Sequence, residues 1–367
     1  MEITPNEEAK MTAIKAINHF NNQASHVIGA LFCVAVGIGV PSLAHAQERV
    51  GTGQPIDLCA NLKSSPSTAA PVTIRYGLTG GGEEPLALLW ADKSQFPNNG
   101  KVYSLEPKLF GANDRMTAVQ AGQLDAGSIS LTALVTAIRF GVDLKAVASL
   151  VETNEHDNQG AFVVLKDSGI TSASQFGGKK IGFYGPNTIS EYWIKSAIRR
   201  SGVSTSGPQY VALPPPAQEQ ALRNKQIDVA WLSRQFLAKA EKKGGINVLL
   251  RPIQATGLPH PSTVVFFTQK FVKEHPAAYC AWRADYQKAL SLWAEKRDQL
   301  YPSLIAAKYV TPNAADAGAD GGRAKEGRID IKEVQATIDD MVSSGFLPPS
   351  RVVKAEETVL RGYALQK

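Results

Sequence analysis

The chain has 367 residues, 44% of them hydrophobic, and carries 39 Lys and Arg against 33 Asp and Glu, a formal charge of +6. That length predicts about two domains, and the apolar content is enough for ordinary cores. The basic residues are scattered, with no run dense enough to read as a nucleic-acid surface.

The first 46 residues read as an export signal. Val27 to Val40 is an apolar run of 14 residues, short of the ~20 that span a bilayer. It leads to Ala44-His45-Ala46, an A-x-A pattern that places cleavage after Ala46. Met11 is an alternative start. Cys33 lacks the small residue that a lipoprotein signal places before its cysteine, so the expectation is a soluble exported protein. An uncleaved N-terminal anchor is the alternative. Cleavage leaves 321 residues and, by removing two lysines and three glutamates, a charge of +7. Two cysteines then remain, Cys59 and Cys280. An exported protein permits a bridge between them, and nothing in the spacing requires one. No C-x-x-C or H-x-x-x-H spacing is present, so no metal and no cofactor are expected.

Residues 47–71 are rich in Ser, Pro and Thr and read as a flexible arm. The fold is expected to begin at Val72 to Leu78, an alternating strand. A Gly-rich turn with Gly81, Gly82 and Glu83 follows, then a helix from Leu86 to Lys93. Such a turn can wrap an anion or can simply start a helix with acidic residues. It is neither a Walker loop nor a dinucleotide fingerprint. Val102 to Phe110 is the next strand.

Met116 to Val147 then reads as helix, strand, helix, strand. Leu124 to Ile129 is flanked by small residues, and Leu144 to Val151 is purely apolar. This alternation predicts a sheet with helical crossovers, whose ligands sit beyond the strands' carboxyl ends. Ser128 and Ser130 stand at that place. They form either a hydrogen-bonding cradle or, for Ser130, only a helix cap.

His156 lies in a polar loop that reads as solvated. Gly160 to Leu165 is an apolar strand taken as the first crossover. A second unit repeats the design: a strand from Lys180 to Tyr184, a turn with Thr188 and Ser190, and a helix from Glu191 to Arg200. A further strand ends at Trp231-Leu232-Ser233-Arg234, mirroring Ala126 to Ser130. Tyr184 and Trp231 are candidate walls for a ligand, and Arg234 is a candidate partner for a carboxylate or sulfonate, with a surface role as its alternative. Ser262 to Thr268 reads as the return crossover. Trp282, Tyr286, Leu290 and Trp293 then recur at helical spacing as a core stripe. Ala314 to Gly327 reads as a loop, and Ile331 to Ser343 as a last amphipathic helix.

Several of these segments resemble the periplasmic substrate-binding proteins of nitrate, sulfonate and taurine type ABC importers. The carriers are Ala121-Gly122-Gln123-Leu124-Asp125 with the strand after it, and Gly141-Val142-Asp143-Leu144-Lys145. Lys166 to Ile170, Gln175 to Gly182, and Ala221-Leu222 with Gln226-Ile227-Asp228-Val229 follow in order. The resemblance spans about Val72 to Leu250. Gln175 departs from a common Asp, and Asn224-Lys225 from a common Gly.

The resemblance implies a periplasmic binding protein type II-like fold, with two three-layer α/β lobes joined by a two-strand hinge. Lobe 1 is expected over 72–165 and 260–367, and lobe 2 over 166–259. It implies a periplasmic monomer that captures a small anion, an alkanesulfonate, taurine-like compound or carboxylate, and delivers it to an ABC permease and ATPase. The ligand-binding set is then Gly81, Gly82, Glu83, Ser128, Ser130, Tyr184, Thr188, Ser190, Trp231, Ser233 and Arg234, with no catalytic residue. The alternatives are an enzyme on the same fold, of the pyrimidine-precursor or menaquinone-pathway type, or a ligand-presenting sensor.

Overall fold

A computed structural model describes residues 57–61, 70–79, 82–156, 159–310, 322–323 and 325–366. The export signal, most of the arm, Gly81 and most of the loop from Ala314 lie outside these residues. No helix among the described residues is long and apolar enough to cross a membrane.

The apolar, β-branched segments fall into two sheets. The first contains β1 (Val72–Leu78), β2 (Tyr103–Leu109), β3 (Ala126–Ser130), β4 (Lys145–Thr153) and β10 (His260–Phe267), in the order β2-β1-β3-β10-β4. β1 runs parallel to β2 and β3, while β10 is antiparallel to β3 and β4.

In the second sheet, β5 (Gly160–Leu165) lies between β8 (Ala230–Ser233) and β9 (Ile246–Leu250), antiparallel to both. β6 (Lys180–Phe183) and β7 (Gln209–Ala212) form a parallel pair. A parallel bridge from Ile181 to Val229 carries that pair onto the run into β8. The resulting run, β7-β6-β8-β5-β9, repeats the first sheet's arrangement, in which the fourth strand is antiparallel to the third and fifth.

One boundary differs from the sequence division, which placed Gly160 to Leu165 with the first lobe. The strand's ladder lies wholly in the second sheet and begins at its first residue, Gly160 opposite Ser233. Gly160 has φ +144, and a Cβ there would lie 2.2 Å from the Leu232 carbonyl oxygen, so this approach needs glycine. β10 pairs in the first sheet.

Helices cover both faces of the sheets. They are α1 (Leu58–Asn61), α2 (Glu84–Ala91), α3 (Ala112–Gln120), α4 (Leu131–Arg139), α5 (Ile189–Arg200), α6 (Pro215–Arg223), α7 (Arg234–Lys243), α8 (Pro252–Thr256), α9 (Gln269–Glu274), α10 (Pro276–Ala306), α11 (Ile331–Ser343) and α12 (Ala355–Thr358). α10 kinks at Lys296, whose backbone is non-helical, so its first segment ends close to the expected Arg297 and a second helical segment follows. Its stripe Trp282, Tyr286, Leu290 and Trp293 is buried, as the helical spacing predicts. Trp282 stacks on Tyr286 at 5.3 Å.

The bridge left open by the sequence is present. Cys59 and Cys280 are disulfide-bonded with Cα atoms 5.4 Å apart, and Asp57 accepts from Arg283 at 2.7 Å beside it. Together they hold α1 onto α10. The aspartates of the two resembling motifs play matching parts. Asp125 accepts from the Arg75 N–H at 3.0 Å, and Asp228 accepts from the Lys180 N–H at 2.7 Å. Each pins the start of its motif strand to the first parallel strand of its own sheet.

The two sheets are also joined through α11. Asp340 accepts from Tyr192 Oη at 3.0 Å, Ser196 Oγ at 2.6 Å and the Arg199 guanidinium, all on α5. Nearby, the Trp193 indole N–H donates to His260 Nε2 at 3.1 Å, and His260 Nδ1 donates to the Leu258 carbonyl at 2.8 Å.

Candidate functional site

The parallel strands of each sheet end where their following helices begin. First-turn backbone N–H groups have no intrahelical partner, so these edges attract side-chain oxygens or ligands. At the first edge, Ser130 caps α4 by accepting from the Ala133 N–H at 3.3 Å, and it also bonds Thr132. Ser128 is fully buried, with Oγ 2.7 Å from the Tyr76 hydroxyl. Thus Ser130 acts as a cap, and Ser128 is tied to β1.

The Gly-rich turn is a charged junction. Glu83 is fully buried and accepts from the Thr79 N–H at 2.9 Å and from Tyr309 Oη at 3.2 Å. Gly82 sits at φ +76, and its carbonyl accepts from Arg323 Nη1 at 2.7 Å. Arg323 Nη2 reaches Glu84 Oε2 at 2.7 Å, while Arg234 Nη2 reaches Glu84 Oε1 at 3.1 Å. Glu84 therefore stands between two arginines. One of them, Arg234, opens α7 after the second sheet's β8, so the pair ties the two edges together. Arg234 is neither a plain surface residue nor idle, since Glu84 already engages its guanidinium.

At the second edge, Ser190 accepts from the Tyr184 N–H at 3.1 Å, and Thr188 Oγ1 donates to the Gly185 carbonyl at 2.6 Å. Ser233 occupies the N-cap position of α7 without a side-chain cap bond. The Trp231 ring is buried against Phe162 and Trp193, with centroids 5.0 and 4.8 Å away. The Tyr184 hydroxyl is buried and has no hydrogen-bond partner. Burial raises its pKa, and Ser233 and Trp231 are its polar neighbours.

Four functional candidates at the first edge escaped the sequence reading: Tyr76, Glu84, Arg115 and Arg323. Arg115 is the most unusual. It lies in the first turn of α3 and is only 4% exposed, yet its Nε and Nη1 have no hydrogen-bond partner. Burial lowers its pKa, while the charge of Glu83 opposes that shift. Its aliphatic stem crosses β1 at Gly77, where a Cβ would lie 3.1 Å from Arg115 Cδ. Burial raises the Tyr76 phenol well above the ordinary range, with Glu83 adding to the rise and Arg115 opposing it. One sequence signal pointed to Arg115: a cation in a helix's first turn opposes the macrodipole and needs a reason to be there.

His156 and His275 stand apart from this arrangement. His156 is exposed, and His275 packs on Phe271 at 5.2 Å. Among the described residues, no group of three or more His, Cys, Asp or Glu is placed to hold a metal ion.

Residues 106–298 match the family described as NMT1/THI5 like. No curated protein sequence matches the chain. Among solved structures, the periplasmic aliphatic sulphonate binding protein SsuA from Escherichia coli superposes with a TM-score of 0.63 at 18% identity, covering 81% of this chain and 94% of that one. The alkanesulfonate-binding protein SsuA from Xanthomonas axonopodis pv. citri, bound to MOPS, gives 0.62 at 17% identity and covers 80% and 100%. The periplasmic nitrate-binding protein NrtA from Synechocystis PCC 6803 gives 0.59 at 14% identity and covers 77% and 84%. The fold is thus the periplasmic binding protein fold that the resemblance implied.

Proposed function

The chain belongs to the NMT1/THI5-like family, and on that premise we propose that it is an exported solute-binding protein that closes two α/β lobes over a small organic anion. The observation that carries this reading is the meeting of two like-ordered sheet edges, joined by the Arg234–Glu84 contact, around buried donors that lack partners. Lobe 1 comprises the first sheet with α10 and α11, and lobe 2 comprises residues 160–259. The strands on either side of Gly160 and His260 are the hinge, which suits closure by rigid-body rotation.

The ligand class follows from the donors available. Arginines and hydroxyls at helix starts suit a sulfonate or carboxylate, and the aromatic side chains suit an organic tail. Taurine-like compounds and nitrate belong to the same test panel. The Cys59–Cys280 bridge supports an oxidising compartment. Delivery to an ABC permease and ATPase at the inner membrane, by a periplasmic monomer, completes the reading. An enzyme on this fold needs a base. Both ring nitrogens of His260, the one buried histidine near the hinge, are already engaged.

A thermal-shift screen of the exported protein against sulfonates, carboxylates, nitrate and pyrimidines tests the proposal. A ligand at a hundred times its Kd stabilises by about 2.7 kcal/mol, and small-angle scattering of that complex should show compaction. No shift with any class, together with no small molecule released on denaturation, defeats it.

A further inference from the structure

Arg115 is the one guanidinium at the first edge whose burial the fold itself does not explain. A buried cation loses several kcal/mol of hydration unless an opposite charge and hydrogen bonds compensate. The neighbouring arginines have such partners: Arg323 of the first edge and Arg234 of the second both meet Glu84. Arg115 has two nitrogens without any partner. Its nearest electrostatic partner, Glu83, is engaged with Thr79 and Tyr309 instead. The position adds to the deficit. Arg115 follows Asp114 near the start of α3, the helix end at which the macrodipole favours negative charge over a cation.

We propose that Arg115 is the receptor for the ligand's anionic group, completed only when a sulfonate or carboxylate enters the edge of the first sheet. The proposal rests on the solute-binding reading above and goes further, since it names the residue and the charge of the group it holds. Three features place the guanidinium for that task. Gly77 removes the Cβ that would block its stem. β2 delivers α3 to the carboxyl-terminal edge. Tyr76, within electrostatic reach, is held by Ser128. An anion at this point answers the unpaired guanidinium, whereas a neutral solute leaves it unanswered.

The test is calorimetric titration of the exported protein with butane-1-sulfonate, butanoate, nitrate and the uncharged butyl methyl sulfone. The anion bound tightest is then titrated into Arg115→Gln, Arg115→Met and Arg115→Lys. Loss of a hydrogen bond to a charged group predicts an affinity about 10- to 150-fold weaker for the Gln and Met variants. The Lys variant should recover part of it. Without ligand, the Gln and Met variants should melt at or above the parent's temperature, since removing an unpaired buried charge relieves the fold.

Affinity within threefold of the parent in Arg115→Gln overturns the proposal and leaves the solute-binding reading standing. So does a lower ligand-free melting temperature in both neutral variants, which makes Arg115 structural. Equal affinity for the sulfone and the sulfonate overturns the charge assignment. A parent protein that binds none of the four probes and releases no small molecule on denaturation overturns the solute-binding reading, and this inference with it.

Discussion

The two sheets share one strand arrangement, and each has its resembling motif aspartate pinned to the first parallel strand. Their carboxyl-terminal edges nevertheless carry different chemistry. The first edge gathers Glu83, Glu84, Arg115 and Arg323, all shielded from solvent. The second presents Tyr184, Thr188, Ser190 and Ser233, and its Arg234 is turned toward the first. The supporting cores differ as well. Behind the first sheet, Phe267, Tyr279, Trp282 and Tyr286 pack in a buried aromatic group on α10 and β10, and the disulfide holds α1 to that helix. The outer face of the second sheet packs on a smaller, mostly aliphatic cluster including Leu222, Ile227 and Leu237. Duplicated topology thus brings two like edges together, one lined by charged side chains and the other by hydroxyls.

The largest test of this comparison is Trp231→Ala. Trp231 is 2% exposed between Phe162 and Trp193, so the change should cost about 3–5 kcal/mol. Urea unfolding measures it, and a small loss would mean that the ring is available to the ligand. Next comes the first half's staple. Reducing Cys59–Cys280, or Cys280→Ser, should cost about 2–5 kcal/mol. In calorimetry the loss should fall on the first half.

The third test concerns the seam between the halves. Burial lowers the His260 pKa to about 4, opposed by its Leu258 bond and by Asp340. The unfolded histidine, near 6.5, therefore takes up a proton first as the pH falls. The contribution is fully present above pH 6.5 and is lost progressively toward pH 4. The loss is about 3 kcal/mol at most. His260→Gln should flatten the stability profile over that window.

The smallest effect sharpens the contrast between the two edges. Ser130 caps its helix and Ser233 does not. Ser130→Ala should cost about 1 kcal/mol, whereas Ser233→Ala should stay within about 0.5 kcal/mol. Equal losses would erase the distinction.

Much of this was legible in the residues alone. Strand alternation, the small-residue strand ends and the stripe at 282, 286, 290 and 293 depend on local periodicity, which pleat and helix impose over a few residues. The limits of Gly160–Leu165 and Ile331–Ser343 were read to the residue for that reason. Short elements without such a pattern, β9 and α8, were not anticipated.

What the tertiary structure alone decided are partnerships. β5 joined the sheet that follows it, because hydrogen bonding depends on which edge is near and not on the strand's own composition. Glu84 meets Arg234 across 150 positions and Arg323 across 239, a pairing that no local pattern records. Ser130 became a cap, Ser128 a tether and Trp231 a packed ring because nearby groups reached them first. Arg115 was left buried and incomplete. Residue type and spacing determine what each segment can form, but unmet charge and hydrogen bonding exist only relative to neighbours that folding brings together.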